Sequence, residues 1–313
     1  MAIEYNLKSN LWTERYRPST LDGYVFVDNN QKAQIEGWIS DGMPPHLLFS
    51  GAAGTGKTTL AKILINAYKI NEYDLMEVNA SRNNTVDYIK DTIVPFISTM
   101  PFGDYKIVLL DEADYMSPNA QAILRGVMET YEASARFILT CNFPHKIISA
   151  INSRTQGFHI NNIDHTEFTA RVAEILITEG VEPDLDILDS YVKATYPDLR
   201  KCIGLVQQNS KSGELVLTKS SGGGADYKVK AVEQFKAGNI RQGRKTLCDN
   251  ITASDVDGII TWTYNNLELW SETDEGQDQA ILLIRDAAAR VPLIADPEIN
   301  LSALIVELTS IEA

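Results

Sequence analysis

The chain has 313 residues, 44% hydrophobic and 22% charged, a globular composition long enough for two or three domains. No run of about 18 apolar residues occurs, and the opening Met1-Ala-Ile-Glu-Tyr-Asn6 lacks a basic stretch followed by an apolar one, so neither a membrane span nor a leader is expected and the protein is read as cytoplasmic. A net charge of −14 excludes a general nucleic-acid coat; Cys141, Cys202 and Cys248, odd in number and far apart, and four histidines in no ligand spacing exclude a disulfide framework and a zinc site.

Charge is uneven along the chain. Residues 1–163 carry a net −3, residues 164–229 a net −4 and residues 230–313 a net −7, so any DNA contact is expected in the N-terminal region. There, Trp12-Thr-Glu-Arg-Tyr-Arg-Pro18 clusters aromatic and basic residues ahead of a proline, a flat apolar wall of the kind an adenine ring needs or simply core packing. His46-Leu-Leu-Phe-Ser50 reads as a buried strand, and Thr59 to Tyr68, with Leu60, Ile63, Leu64 and Ala67, as a helix.

Between them lies Gly51-Ala52-Ala53-Gly54-Thr55-Gly56-Lys57-Thr58, followed by Thr59. Strand, glycine loop and helix in this order make a phosphate-gripping loop. Gly51, Gly54 and Gly56 let the backbone curl with its N–H groups inward, and the helix start adds unsatisfied N–H groups and the positive end of its dipole. Lys57 is expected to reach the β- and γ-phosphates of ATP, and the Thr58 hydroxyl to ligate Mg²⁺.

Asp74 to Asn79 reads as a second strand, then Ala80 to Thr85 leads into a helix to about Met100, with Ser81, Asn83 or Asn84 as its cap. Arg82 suits a DNA phosphate or a solvated turn. Lys106-Ile-Val-Leu-Leu-Asp111-Glu112-Ala-Asp114 is a buried strand with carboxylates at its C-terminal end, where open α/β sheets bind ligands. Asp111 is placed to join the Mg²⁺ shell and Glu112 to polarise an attacking water. Ser117-Pro118 starts a helix with Ala122, Ile123, Val127 and Met128 on its inner face, and Ala135 to Cys141 is another strand ending at Asn142, a γ-phosphate sensor or a turn residue. Arg154 is a surface charge or, in an oligomeric ATPase, an arginine projected into a neighbour's site.

From Asp164 the pattern turns helical: about 166–179, 185–195 and 198–208, with Arg200 near the start of the third. Lys211 to Tyr227, with Ser220-Ser-Gly-Gly-Gly224, reads as a linker. The remainder is a helical bundle with one stripe at Val256, Ile259, Ile260, Thr263, Leu267 and Trp270, and another at Ile281, Ile284, Ala288 and Val291.

These runs together resemble the sliding-clamp loader ATPases of the AAA+ class, the replication factor C small subunits, and in length the large subunit of tailed-phage clamp loaders. The match lies in Trp12 to Pro18, His46 to Thr59, Asn79-Ala-Ser81, Asp111-Glu-Ala-Asp114, Ala120 to Arg125, Phe137 to Asn142, Asn152-Ser-Arg154 and Asp198-Leu-Arg200-Lys201. The resemblance implies an α/β fold: an AAA+ P-loop NTPase domain with a parallel sheet (1–163), a helical lid domain with linker (164–229) and an all-helical collar (230–313). It implies that Thr13, Tyr16, Arg17 and Val25 line the adenosine pocket, that Asn142 and Arg200 are the two sensors, and that Arg154 acts in trans.

The partners implied are a sliding clamp, primer-template DNA and other clamp-loader subunits, copies of this chain plus a different small subunit, in a pentamer. If the gene is phage-borne, the compartment is the host cytoplasm. Asn79-Ala-Ser-Arg-Asn-Asn-Thr85 departs from the cellular pattern and Gly126 replaces a basic residue after Arg125, so DNA contacts are assigned only to Arg82, Asn83, Asn84, Asn119 and Arg125. Phe96, Met100 and Phe102 are candidates for an apolar groove on the clamp. Two rival functions share the loop: a branch-migration or unwinding motor, and a scaffold that holds ATP without hydrolysing it.

Overall fold

The computed structural model describes residues 9–160, 163–211, 213–217, 226–251, 255–294 and 296–311. These fall into two compact units, Met1–Phe168 and Thr169–Ala313.

The first unit opens with α1 (Trp12–Arg15) and α2 (Asn29–Ser40), the latter capped by Asp28, which accepts the Gln31 N–H at 2.8 Å. Strands and helices then alternate: β1 (Leu47–Gly51), α3 (Lys57–Ala67), β2 (Leu75–Asn79), α4 (Val86–Tyr88) and α5 (Val94–Ser98) joined by a π turn, β3 (Lys106–Asp111), α6 (Pro118–Thr130), β4 (Ala135–Cys141), α7 (Ser149–Asn152) and β5 (Gln156–Ile160). The strands pair in parallel in the order β2-β3-β4-β1-β5.

Continuous apolar runs suit this sheet because helices cover both faces. Leu48, Val108, Leu110, Phe137 and Leu139 cluster with Ile89, Ile93, Ile97, Leu124 and Met128. Leu47, Phe49, Ile107, Leu109 and Ile138, of the opposite alternation, are also buried, and α3 packs beside β1, β3 and β4. Parallel pairing brings every strand's C-terminal end to one edge, where the glycine loop, Asp111 and Asn142 all emerge.

Two details of this first unit depart from the sequence reading. On α6 the buried residues are Ala120, Gln121, Leu124, Val127 and Met128, while Ala122 is exposed. Gln121 takes a core position because its amide is satisfied there, donating to the Met116 and Lys146 carbonyls at 3.1 Å and accepting the Ile148 N–H at 2.9 Å. The helix after β2 is capped by Thr85, whose hydroxyl accepts the Tyr88 N–H at 3.2 Å, and not by Ser81, Asn83 or Asn84. Ser81 is held earlier, its N–H donating to Asn79 Oδ1 at 2.9 Å.

The second unit takes its helices from α8 (His165–Thr178), α9 (Leu185–Thr195) and α10 (Leu199–Asn209), then a small hairpin, β6 (Ser210–Lys211) and β7 (Glu214–Leu215). It continues with α11 (Asp226–Lys236), α12 (Ile240–Cys248), α13 (Val256–Asn265), α14 (Asp274–Arg290) and α15 (Pro297–Leu308). Asp184, Asp198, Thr273 and Asp296 cap α9, α10, α14 and α15. The run Ser220 to Gly224 lies outside the described residues.

Val232, Leu247, Ile260, Trp262, Trp270, Ile284, Leu301 and Ile305 form the core of α11–α15. The first predicted stripe is buried at Val256, Ile259, Ile260, Thr263 and Trp270. The second is rotated: α14 buries Gly276, Ala280, Ile284 and Ala287, and Ala288 is exposed. Gly276 sets this phase, since a Cβ there would lie 2.1 Å from Ser271 Oγ, so the helix starts pressed against that turn. The Trp262 indole N–H donates to the Lys193 carbonyl at 2.7 Å, and Lys236 pairs with Asp189 at 3.0 Å, tying α13 and α11 to α9.

Candidate nucleotide site

The loop after β1 has the backbone that its glycines allow. Gly51, Gly54 and Gly56 have φ of 153°, 74° and 91°. A Cβ on Gly51 would lie 2.1 Å from the Ile160 carbonyl oxygen, so β1 and β5 pair at that register only because no side chain is present. A Cβ on Gly56 would lie 2.9 Å from the ring of Tyr24. Thr55 closes the loop by donating to the Ala52 carbonyl at 2.9 Å, while Ala52 and Ala53 are exposed at its tip.

Helix α3 starts at Lys57, so the N–H groups of its first turn, Thr58 and Thr59 included, have no intrahelical acceptor. Lys57 is buried, and its ammonium donates to the Gly51 carbonyl at 2.9 Å and the Ala52 carbonyl at 2.6 Å. The cation is thus folded back over the loop it serves.

The carboxylates meet the loop from β3. Asp111 Oδ1 accepts the Thr58 hydroxyl at 2.7 Å and the Thr140 hydroxyl at 2.5 Å. Glu112 follows in left-handed backbone, φ 59° and ψ 43°, a conformation that costs a non-glycine residue roughly 1–3 kcal/mol. Its N–H donates to Thr140 Oγ1 at 3.1 Å, and its half-buried carboxylate has no partner among the described residues. Asp114 is buried; Oδ2 accepts the Phe143 N–H at 3.2 Å and Oδ1 has no hydrogen-bond partner among the described residues. Asn142 emerges half-buried from β4, between β1 and β3. Burial pushes the Cys141 thiol beside it up to about 12, so that residue is inert core.

Of the residues expected to line the adenosine pocket, Tyr16 and Val25 are buried and Thr13 is half-buried. Arg17 is half-buried and pairs with Glu14 at 3.1 Å. Sequence reading missed Tyr24, whose hydroxyl donates to the Thr55 carbonyl at 3.5 Å and so lays the segment before Val25 along the loop. Burial pushes its phenol well above the ordinary range. Only the packing, across 31 residues of chain, reveals it.

Arg154 stands apart from these groups. It precedes β5, whose first residue, Gln156, pairs with Leu47 at the start of β1, whereas the loop begins where Gly51 pairs with Ile160. Four residues of strand, about 13 Å, separate those levels. Arg154 forms an ion pair with Glu129 and lines a cleft of about 400 Å³ with His46, Met128, Glu132 and Ser153. Arg200 is exposed in the first turn of α10 in the second unit.

The other candidates lie outside this constellation. Arg82 is exposed after β2, Asn83 and Asn84 are half-buried, and Asn119 and Arg125 are exposed on α6. Phe96 packs against the core beneath the Lys106 ammonium, 4.5 Å from its ring centroid. Met100 and Phe102 are 91% and 76% exposed, and Phe102 lies against exposed Tyr73, ring centroids 5.5 Å apart. Asp74 fixes this loop by accepting the Phe102 and Gly103 N–H groups at 3.0 and 2.8 Å.

The residues fit a Mg²⁺-nucleotide. A curled loop of N–H groups with an inward ammonium suits phosphates, and a hydroxyl beside one carboxylate suits Mg²⁺, which is commonly bound by one or two carboxylates together with substrate oxygens. Among the described residues no group of three or more His, Cys, Asp or Glu side chains is arranged to hold a metal by itself.

Residues 47–161, the stretch just described, match the family model of the ATPase family associated with various cellular activities (AAA). The replication factor C small subunit of Sulfurisphaera tokodaii is 35% identical over 98% of this chain and 97% of its own length. That of Saccharolobus solfataricus is 33% identical over 95% and 94%, and that of Archaeoglobus fulgidus 39% identical over 66% of each. Among solved structures, the Thermotoga maritima RuvB Holliday junction branch migration motor shares the fold, with a TM-score of 0.54 at 15% identity over 74% of this chain and 85% of that one. Similarity along nearly the whole length, on an AAA+ scaffold, means that this chain belongs to the replication factor C small-subunit family.

Proposed function

We propose that this chain is an ATPase subunit of a sliding-clamp loader, using ATP binding to open a ring clamp and hydrolysis to release it on primer-template DNA during replication. The observation that carries the reading is the division of the hydrolytic set: Lys57, Thr58, Asp111, Glu112 and Asn142 lie at one edge of the sheet, and Arg154 precedes β5 at the other. A phosphate served by Arg154 therefore belongs to another subunit. An ATPase whose sites are finished only on assembly is suited to sensing a completed clamp–DNA complex.

Within the site, the loop amides and Lys57 hold the phosphates, and Thr58 and Asp111 hold Mg²⁺. Mg²⁺ supplies charge neutralisation on the phosphate oxygens. Glu112 orients the attacking water and draws its proton; Asn142 fixes the water or the γ-phosphate from β4. Thr13, Tyr16, Arg17 and Val25 take the adenosine. Arg200, in the lid formed by residues 164–229, serves as the second sensor, and Arg154 of the neighbouring subunit stabilises the transferring phosphoryl group. Residues 230–313 act as the collar that gathers subunits into a pentamer with a different small subunit.

Arg82, Asn83, Asn84, Asn119 and Arg125 are assigned to DNA phosphates, and Met100 and Phe102, with Phe96 behind them, to the clamp groove. The test is ATP turnover of the purified assembly. Clamp and primer-template together should raise it; no stimulation, or ATP-driven strand displacement without a clamp, would replace this reading with that of a motor.

A further inference from the structure

Asp111 and Glu112 share one support that the nucleotide reading leaves unused, through the carboxylate of the first and the backbone N–H of the second. Thr140 is a hydroxyl near the C-terminal end of the central strand β4, whose other polar residue, Arg136, lies near its start, and it is 2% exposed. Its bond directions are fixed by its partners. The Glu112 N–H can only donate, so Oγ1 accepts it at 3.1 Å, and an ionised Asp111 can only accept, so the Thr140 proton goes to Oδ1 at 2.5 Å. The same Oδ1 takes the Thr58 hydroxyl at 2.7 Å. A β-branched side chain in a packed strand has little rotamer freedom, so the hydroxyl is a rigid fixture. It stands two residues before Asn142.

We propose that Thr140 is a positioning residue for hydrolysis: one hydroxyl on β4 orients the Mg²⁺-holding carboxylate of Asp111 and pins the left-handed turn that aims Glu112. The proposal rests on the roles given above to Asp111 and Glu112. Removing a group that orients a metal-holding side chain commonly lowers metal affinity or activity about 10- to 100-fold.

The test uses the full-length chain. Thr140→Val keeps the volume and removes the hydroxyl; Thr140→Ser keeps the hydroxyl. The readouts are affinity for a fluorescent ATP analogue without Mg²⁺, the Mg²⁺ concentration giving half of the Mg²⁺-dependent change in that affinity, and turnover in the assembly. In Thr140→Val, Mg²⁺-free binding should stay near wild type, the Mg²⁺ midpoint should rise about 10- to 100-fold and turnover fall similarly, with Thr140→Ser restoring both. An unchanged midpoint and turnover in Thr140→Val, or equal defects in Thr140→Ser, would overturn the proposal. Should Thr140→Val not fold, Thr140→Cys, of similar size and a weak donor, carries the same comparison. A wild-type enzyme that ignores clamp and DNA defeats the clamp-loader reading alone, since the Mg²⁺ midpoint still judges Thr140.

Discussion

Gly51→Ala should damage both the sheet and the nucleotide site. The new Cβ would stand 2.1 Å from the Ile160 carbonyl oxygen and 2.8 Å from its carbon, where ordinary contact begins near 3.4 Å. Both partners are backbone, so relief requires β1 and β5 to separate by more than 1 Å at the mouth of the loop. Overpacking of this kind costs about 1–3 kcal/mol, and a lost interstrand hydrogen bond about 0.5–1.5 kcal/mol, for a total of about 1.5–4.5 kcal/mol. At about 2–4 °C per kcal/mol for a unit of this size, the melting temperature should fall by roughly 3–18 °C. Gly157 is the control: it lies in the same strand pair, and a Cβ there meets nothing within 4 Å. Thermal unfolding and binding of a fluorescent ATP analogue, measured on both variants, check the reasoning. A Gly51→Ala protein that melts within about 1 °C of wild type and binds ATP equally well would refute it.

Glu112→Gln should retain ATP affinity and lose about 10²- to 10⁴-fold in turnover, as expected on removing a general base; unchanged turnover in a steady-state phosphate-release assay would remove Glu112 from that role. Lys57→Ala should abolish detectable binding of the same fluorescent analogue, because the ammonium facing the loop carbonyls is the site's central cation. Burial, with Arg136 nearby, pushes His46 down from 6.5 to about 4, and its Nδ1 accepts the Phe137 N–H at 3.1 Å, which a protonated ring cannot do. The unfolded chain therefore binds the extra proton between pH 6.5 and 4; stability is whole above that window and falls through it, and His46→Gln should flatten this part of a melting-temperature profile. Leu124→Ala, at a fully buried position on α6, should cost about 2–5 kcal/mol in denaturant unfolding, whereas Ala122→Ser on the exposed side should stay within about 0.5 kcal/mol.

What could be read from the sequence was local in cause. Glycines 51, 54 and 56 are required by their own backbone, Lys57 and Thr58 follow at fixed offsets, and Asp111 and Glu112 terminate an apolar run, so neighbouring residues suffice to place them. Helix phase was less legible. The buried face of α6 includes polar Gln121, satisfied by carbonyls 5 and 25 residues away, and that of α14 is set by Gly276 against Ser271. Tyr24 and Thr140 were missed for the same reason: their roles are contacts across 31 and 28–29 residues, and a threonine between Leu139 and Cys141 reads as one more strand residue. The ion pair of Arg154 with Glu129 also needs the packing of α6 beside α7. Such exposed pairs contribute only about 0–1 kcal/mol, and Arg154 also donates to the Ala150 carbonyl at 2.7 Å and to Ser153 Oγ at 3.3 Å.

The proposed sharing of one hydrolytic site between two subunits is tested most directly by mixing two variants expected to be inactive alone, Lys57→Ala and Arg154→Ala, in one assembly with clamp and primer-template. Where an Arg154→Ala subunit presents its intact loop to a Lys57→Ala neighbour with its arginine in place, a complete site is rebuilt. Mixed assemblies should therefore recover part of the stimulated turnover that neither variant shows alone. Full activity of Arg154→Ala by itself, or no recovery in mixtures that assemble normally, would contradict that arrangement.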